Sequence, residues 1–206
     1  MSNTKKNRGS GISDPFNKIA DVPDAPTIGT VTDVGTSQSY NNGSATVAFT
    51  GPAATGGATA SYIAKSNPGS FTATGTSSPI TITGLQSSTA YTYQVAGVNS
   101  SGTGSYGTSS SAVTATTVPQ APTIGTFTNG GTGTTGTLSF TAGATGGKSI
   151  TGYKYSTNGT TYTTVSGTTS PLSLTGLTAG TYTFYLKATN ANGDSAASSG
   201  VSGTVS

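Results

Sequence analysis

Gly84-Leu85-Gln86-Ser87-Ser88-Thr89-Ala90-Tyr91-Thr92-Tyr93-Gln94-Val95-Ala96-Gly97-Val98-Asn99 is the stretch whose reading decides the fold. Tyr91, Tyr93 and Val95 recur at every second position with Thr92 and Gln94 between them, the period of a strand with one face buried and one in water. The same pattern returns as Thr181-Tyr182-Thr183-Phe184-Tyr185-Leu186, behind Thr175-Gly176-Leu177 and ahead of Asn190. Both copies therefore predict a half-buried antiparallel strand. The second is one residue shorter between its leucine and its tyrosine.

Working outward, the whole chain says nearly the same thing twice. Pro23-Asp24-Ala25-Pro26-Thr27-Ile28-Gly29-Thr30 returns 96 residues later as Pro119-Gln120-Ala121-Pro122-Thr123-Ile124-Gly125-Thr126. Ser78-Pro79-Ile80-Thr81-Ile82-Thr83-Gly84-Leu85 answers to Ser170-Pro171-Leu172-Ser173-Leu174-Thr175-Gly176-Leu177, and Val47 and Phe49 answer to Leu138 and Phe140. Solenoid repeats run about 20–50 residues, so a period near ninety measures a whole domain. Strand-sized runs near 27–34, 44–50, 60–66, 70–75, 80–83, 90–99 and 110–117, with Gly, Ser, Thr, Asn and Pro between them, give the first copy about seven strands. No stretch sustains the three-and-four apolar spacing of a helix. The expected organisation is an N-terminal arm over 1–22, a β-sandwich over 23–118 and a second over 119–206. The fold class is all-β: two tandem seven-stranded antiparallel sandwiches with an extended arm.

The Leu85-to-Tyr91 spacing, the closing Asn99 and the run Thr145-Gly146-Gly147-Lys148-Ser149-Ile150-Thr151-Gly152-Tyr153 resemble strands and loops of fibronectin type III domains. The resemblance covers roughly residues 23–206 and implies that family's immunoglobulin-like sandwich. The tryptophan usual on the family's second strand is absent, and Phe49 and Phe140 stand in its place. Phenylalanine fills most of that volume with no indole N–H to satisfy.

Only 6% of residues are charged and 31% are hydrophobic, against about 25% charged in an ordinary globular protein. Aromatics at matched strand positions in both copies nevertheless argue for two folded, small cores. Lys5, Lys6 and Arg8 supply the whole net charge of +3, because the other basic residues balance the acidic ones. Sandwiches this neutral lack the basic patch that phosphate neutralisation needs, so no nucleic-acid partner is expected.

The chain contains no histidine, cysteine or glutamate. General acid–base work would fall to Asp or Tyr, and Asp33 and Asp194 form no recognisable pair, so the protein is not expected to be an enzyme. Asn190-Ala191-Asn192-Gly193-Asp194 shares oxygen ligands before a glycine with part of a calcium loop, yet no distal carboxylate follows. It reads as a tight hairpin turn, with no metal or cofactor. The glycosylation tripeptides at Asn42, Asn99 and Asn158 all fall at expected turns. Met1 to Ala20 has no apolar core of a secretory leader, and no segment reaches the about 18–20 apolar residues of a membrane span.

Sandwiches of this family usually work outside cells, whereas no export signal is read here. Bacteriophage virion proteins reconcile the two, since they assemble in the host cytoplasm and leave by lysis. The charge-poor Thr/Ser/Gly style is similar to phage surface appendages. That resemblance implies a virion structural protein exposed on the particle, a capsid decoration or head-fibre protein. A tail, neck or baseplate accessory protein is a second expectation, and a bacterial extracellular adhesin or carbohydrate-enzyme accessory module a third. The anchor is then the arm, where Ile12, Phe16, Ile19 and Val22 have no core of their own and Lys5, Lys6 and Arg8 carry the charge. Burying Phe16 with two or three aliphatics against other virion proteins would contribute about 5 kcal/mol before ordering costs. Oligomeric state would be set by the virion. Host-surface glycans are the other partner class, with Tyr106 and Tyr162 as exposed aromatic candidates. Pro23, Pro26, Pro119 and Pro122 restrict φ just before each sandwich, favouring a semi-rigid rod.

Overall fold

The computed structural model describes residues 21–131 and 133–206. Of the expected arm, only Asp21 and Val22 fall among them. The first repeat runs β1 (Thr27–Asp33), β2 (Gly43–Thr50), β3 (Ser61–Asn67), β4 (Thr72–Gly75), β5 (Ile80–Leu85), β6 (Ala90–Asn99), β7 (Gly102–Thr103) and β8 (Val113–Thr114). One sheet is ordered β1-β2-β5; the other is β4-β3-β6-β7, with β8 also paired to β6. Every pairing is antiparallel.

The seventh strand departs from the continuous run expected at 110–117. It is broken into β7 and β8, yet it follows β6 throughout: the N–H groups of Gly104, Gly107 and Ser110 donate to the carbonyls of Gly97, Val95 and Tyr93. Glycine and serine between 100 and 112 offer few side chains to hold a regular ladder, and single backbone bonds keep the segment in place. Each repeat is thus a three-plus-four sandwich of fibronectin type III-like order.

The second repeat copies the first as β9 (Thr123–Asn129), β10 (Thr135–Thr141), β11 (Gly152–Ser156), β12 (Thr163–Val165), β13 (Leu172–Thr175), β14 (Gly180–Asn190), β15 (Gly193–Asp194) and β16 (Val201–Val205). Its sheets are β13-β10-β9 and β12-β11-β14-β15, with β16 on β14. Even an irregularity repeats. Ile28 faces Phe49 and Val31 faces Val47, so three residues of β1 oppose two of β2; Ile124–Phe140 and Phe127–Leu138 do the same. The extra residue of this bulge falls at Gly29-Thr30 and Gly125-Thr126, and bulges of this kind turn a strand across its partner.

The cores are built from the alternation. Val47, Phe49, Ile80, Ile82, Leu85, Tyr91, Tyr93 and Val95 are buried in the first, and Leu138, Phe140, Tyr153, Leu172, Leu174, Phe184 and Leu186 in the second. Phe49 meets Tyr62 at 4.6 Å between ring centroids and Phe140 meets Tyr153 at 4.4 Å, so each phenylalanine packs in its core against a tyrosine of the opposite sheet. Each sandwich also closes a tyrosine corner. Gln86 N–H donates to the Tyr91 hydroxyl at 3.0 Å, and the Tyr182 hydroxyl donates to Thr178 O at 3.0 Å. There is no helix among the described residues, and hence none long and apolar enough to cross a membrane.

Candidate functional site

Among the described residues, a dense network of side-chain hydrogen bonds lies where the sandwiches join. Ala115 through Pro119 are all buried, with Thr117 at 0% exposure, which is unusual for a connection between domains. Connecting segments normally stay at the surface because their backbone groups need water. Here protein groups replace the water.

Asn190, at the end of β14, donates from Nδ2 to Thr117 O and Thr145 O, both at 2.9 Å, while its Oδ1 accepts from Asn192 N–H at 2.8 Å. Asn192 reaches back to the first sandwich: its Nδ2 donates to Thr116 Oγ1 at 2.8 Å and Thr117 O at 3.1 Å, and its carbonyl accepts from Ser37 N–H at 2.8 Å. From the other side, Asp33 at the end of β1 accepts from Thr116 N–H at 2.9 Å and also from the Thr116 hydroxyl. Thr117 N–H donates to Gly146 O, and Val118 N–H to Gln38 O. Gly35 is buried between the partners, and a Cβ there would overlap Thr116 Oγ1 and crowd the Asn192 amide. Only a residue without a side chain lets the hairpin approach so closely.

The joint marked by its prolines is held in place mainly by two asparagine amides and an aspartate. Asn190 and Asn192 read in sequence as turn residues, and they do make the β14–β15 turn. Their second role, across the joint, went unread. The available signal was that an asparagine closes the long strand in both repeats, at Asn99 and Asn190.

Asn99 does for the lead-in of the first sandwich what Asn190 does for the second. Its Nδ2 donates to Asp21 O at 2.6 Å and Thr55 O at 2.9 Å, and its Oδ1 accepts from Ser101 N–H at 2.8 Å. Asp24 N–H donates to Ala54 O, as Gln120 N–H donates to Ala144 O. Of the anchor residues, only Val22 lies among those described. It is 38% exposed, its N–H bonds to the Asp21 carboxylate, and its side chain lies beside Gly102. Ile12, Phe16, Ile19, Lys5, Lys6 and Arg8 lie outside the described residues.

Elsewhere the polar groups are mostly engaged with one another. Asp194 bonds the Lys154 ammonium and the Thr189 hydroxyl, each at 2.7 Å. Burial alone would raise its carboxyl, but the hydrogen bonds from Lys154 and Thr189 and the charges of Lys154 and Lys187 hold it below the usual carboxylate range. Tyr106 lies under Lys65 at 3.8 Å and Tyr162 under Lys187 at 4.4 Å. Each candidate glycan aromatic thus has a lysine covering one face. Among the described residues, no three His, Cys, Asp or Glu gather where a metal ion would sit. An open cleft of about 550 Å³ flanks the joint, with Tyr40, Gln120 and Asp194 on its walls. What this chemistry does well is hold a shape.

No protein-family model and no curated protein matches the chain. Among solved structures, the crystal structure of the FN1-FN3 domains of chicken CNTN1 is similar over 89% of this chain and 67% of that one, with 13% identity and a TM-score of 0.43.

Proposed function

We propose that the protein is a non-enzymatic virion structural protein of a bacteriophage, a capsid decoration or head fibre that holds two sandwiches out from a particle at a fixed mutual angle. The observation that carries the spacer role is the buried, hydrogen-bonded joint. Two domains linked only by a flexible tether would reorient freely, whereas Thr116, Thr117, Asn190 and Asn192 tie these two together. The virion setting draws on composition: few charges and abundant Thr, Ser and Gly.

In this reading the arm is the attachment, with its apolar residues docking on a capsid or other virion protein and many copies adding avidity. The test is incorporation. Antibody against residues 21–206 should decorate intact particles from cells carrying the gene, and deletion of residues 1–22 should abolish decoration while the soluble protein still folds. Particles that keep the truncated protein at full copy number would refute the anchor. Particles that never carry the full chain would refute the virion role.

A further inference from the structure

The cleft beside the joint takes its walls from both sandwiches. Ser37, Ser39 and Tyr40, on the connection between β1 and β2, form one side; Asp194 and Ala196, at and just beyond β15, form the other. Val118, Pro119 and Ala121 of the connecting segment run between them. The volume of about 550 Å³ lies in the range of small-ligand sites, which favour domain boundaries. The bonds that hold the joint also hold these walls in register: Asn192 O accepts from Ser37 N–H at 2.8 Å, and Val118 N–H donates to Gln38 O at 2.9 Å. A cleft already formed spares its ligand the cost of ordering it.

Its unused groups set the cleft apart. Lysines cover Tyr106 and Tyr162, but the half-buried Tyr40 has no ring, cation or hydrogen-bond partner among the described residues. The Ser37 and Ser39 hydroxyls are likewise without a partner there. Gln120 Oε1 accepts from Ala144 N–H at 3.1 Å, which fixes the amide and leaves Nε2 as a donor. Asp194 accepts one hydrogen bond on each oxygen, from Thr189 and Lys154, and its side chain is 31% exposed. A carboxylate has room for about four such bonds, and one held below the usual range stays an acceptor at neutral pH. An anionic ligand would meet that carboxylate, while the Lys154 ammonium beside it is already paired. A purely apolar ligand would strip water from Ser37, Ser39, Gln120 and Asp194 and give nothing back. A sugar ring answers both demands, with its C–H face on the aromatic ring and aliphatic strip and its hydroxyls on the donors and acceptors around them. We infer that this cleft is a binding site for a neutral saccharide, with Tyr40 against a ring face and Asp194 and Gln120 bonding its hydroxyls. The site goes beyond the spacer role and does not rest on the virion setting.

Amide shifts of the isotope-labelled full chain, titrated with maltotriose, cellotriose, mannotriose and triacetylchitotriose, test the site. The expected result is that at least one of these sugars moves Ser37–Tyr40, Gln120, Ala121 and Gly193–Ala196 together and saturates in the millimolar range. Tyr40→Ala should weaken that sugar by about tenfold or more, and Tyr40→Phe should keep most of the affinity. Both variants should retain their folds, since Tyr40 belongs to neither core. Gly35→Ala wedges the joint without lining the cleft, and it should weaken the sugar too, which a patch confined to one sandwich would not feel. No saturating shift with any of the neutral sugars, shifts confined to Tyr106 or Tyr162, or equal affinity in Tyr40→Ala would overturn the site. Tighter binding of trigalacturonate than of the neutral sugars would overturn the neutral ligand. Incorporation into particles is a separate readout, so failure here is distinguishable from failure of the virion role.

Discussion

Replacing Tyr93 by phenylalanine should stabilise the first sandwich. Tyr93 has 0% exposure, and its hydroxyl is buried with no hydrogen-bond partner. A buried polar group left unpaired costs about 1–3 kcal/mol, while deleting one oxygen leaves a gap too small to return much of that as a cavity penalty. The net gain expected for Tyr93→Phe is about 1 kcal/mol, or about 4–8 °C in the melting temperature of a domain of this size. The second sandwich supplies the precedent, since the matched residue there is Phe184, also at 0% exposure. Calorimetry should show the first sandwich's transition rising and the second's unmoved, with an unchanged denaturant slope. Alkaline pH adds a second readout. Burial above all, with the nearby Tyr91 and Asp33 charges, pushes the Tyr93 hydroxyl up to about 12. Because the folded value lies above the unfolded one of about 10, the native state holds its proton after the unfolded chain has lost it. The associated stability is complete below pH about 10 and is lost as pH rises towards 12. Tyr93→Phe removes that loss, so the gap between variant and wild type should widen across this window. A destabilisation of about 1 kcal/mol or more would mean that the hydroxyl is bonded after all, and would refute the reasoning.

Asn190→Ala would leave Thr145 O and Asn192 N–H without their partner and Thr117 O with only the longer bond from Asn192 Nδ2, and should cost the second sandwich about 1–3 kcal/mol by denaturant unfolding. Asn190→Asp should be worse at neutral pH, because it sets a carboxylate against two carbonyls, and should recover on acidification as protonation restores one donor. Gly35→Ala should widen the distance distribution across the joint with both cores intact, since it wedges the Thr116–Asn192 contact. Asp194 is held below the usual carboxylate range, so its contribution is present above the unfolded value of about 4 and fades as pH falls through the folded one. Lys154→Ala should weaken that acid sensitivity, with Thr189 and Lys187 left to sustain part of it, and, for so exposed a pair, cost no more than about 1 kcal/mol.

The sandwiches were legible because they are periodic. Tyr91, Tyr93 and Val95 and their matches announced a strand, and matched echoes at Phe49 and Phe140 announced two copies of one fold. The break in the seventh strand was not legible, since a Gly/Ser run carries no alternation and is placed by single backbone bonds to β6. The joint was half legible. Proline marked where it lies, but the hydrogen bonds that hold it come from Asn190, Asn192 and Asp33, whose partners on the connecting segment are 73 to 83 residues away in sequence. An asparagine at a turn has a sufficient local reason to be there, and nothing local reveals that its amide also reaches a neighbouring domain. Tyr106 and Tyr162 fell into the same gap, because Lys65 and Lys187 meet them only in space.

Spin-label distances between Thr81→Cys and Ser173→Cys in the full chain test the fixed joint most directly. The buried amide network predicts one narrow peak that persists at high salt, because the contacts crossing the joint are mostly neutral hydrogen bonds. It also predicts that the peak broadens when Asn192 is replaced by alanine. A wide or multiply peaked distribution in the unmodified protein would contradict the account.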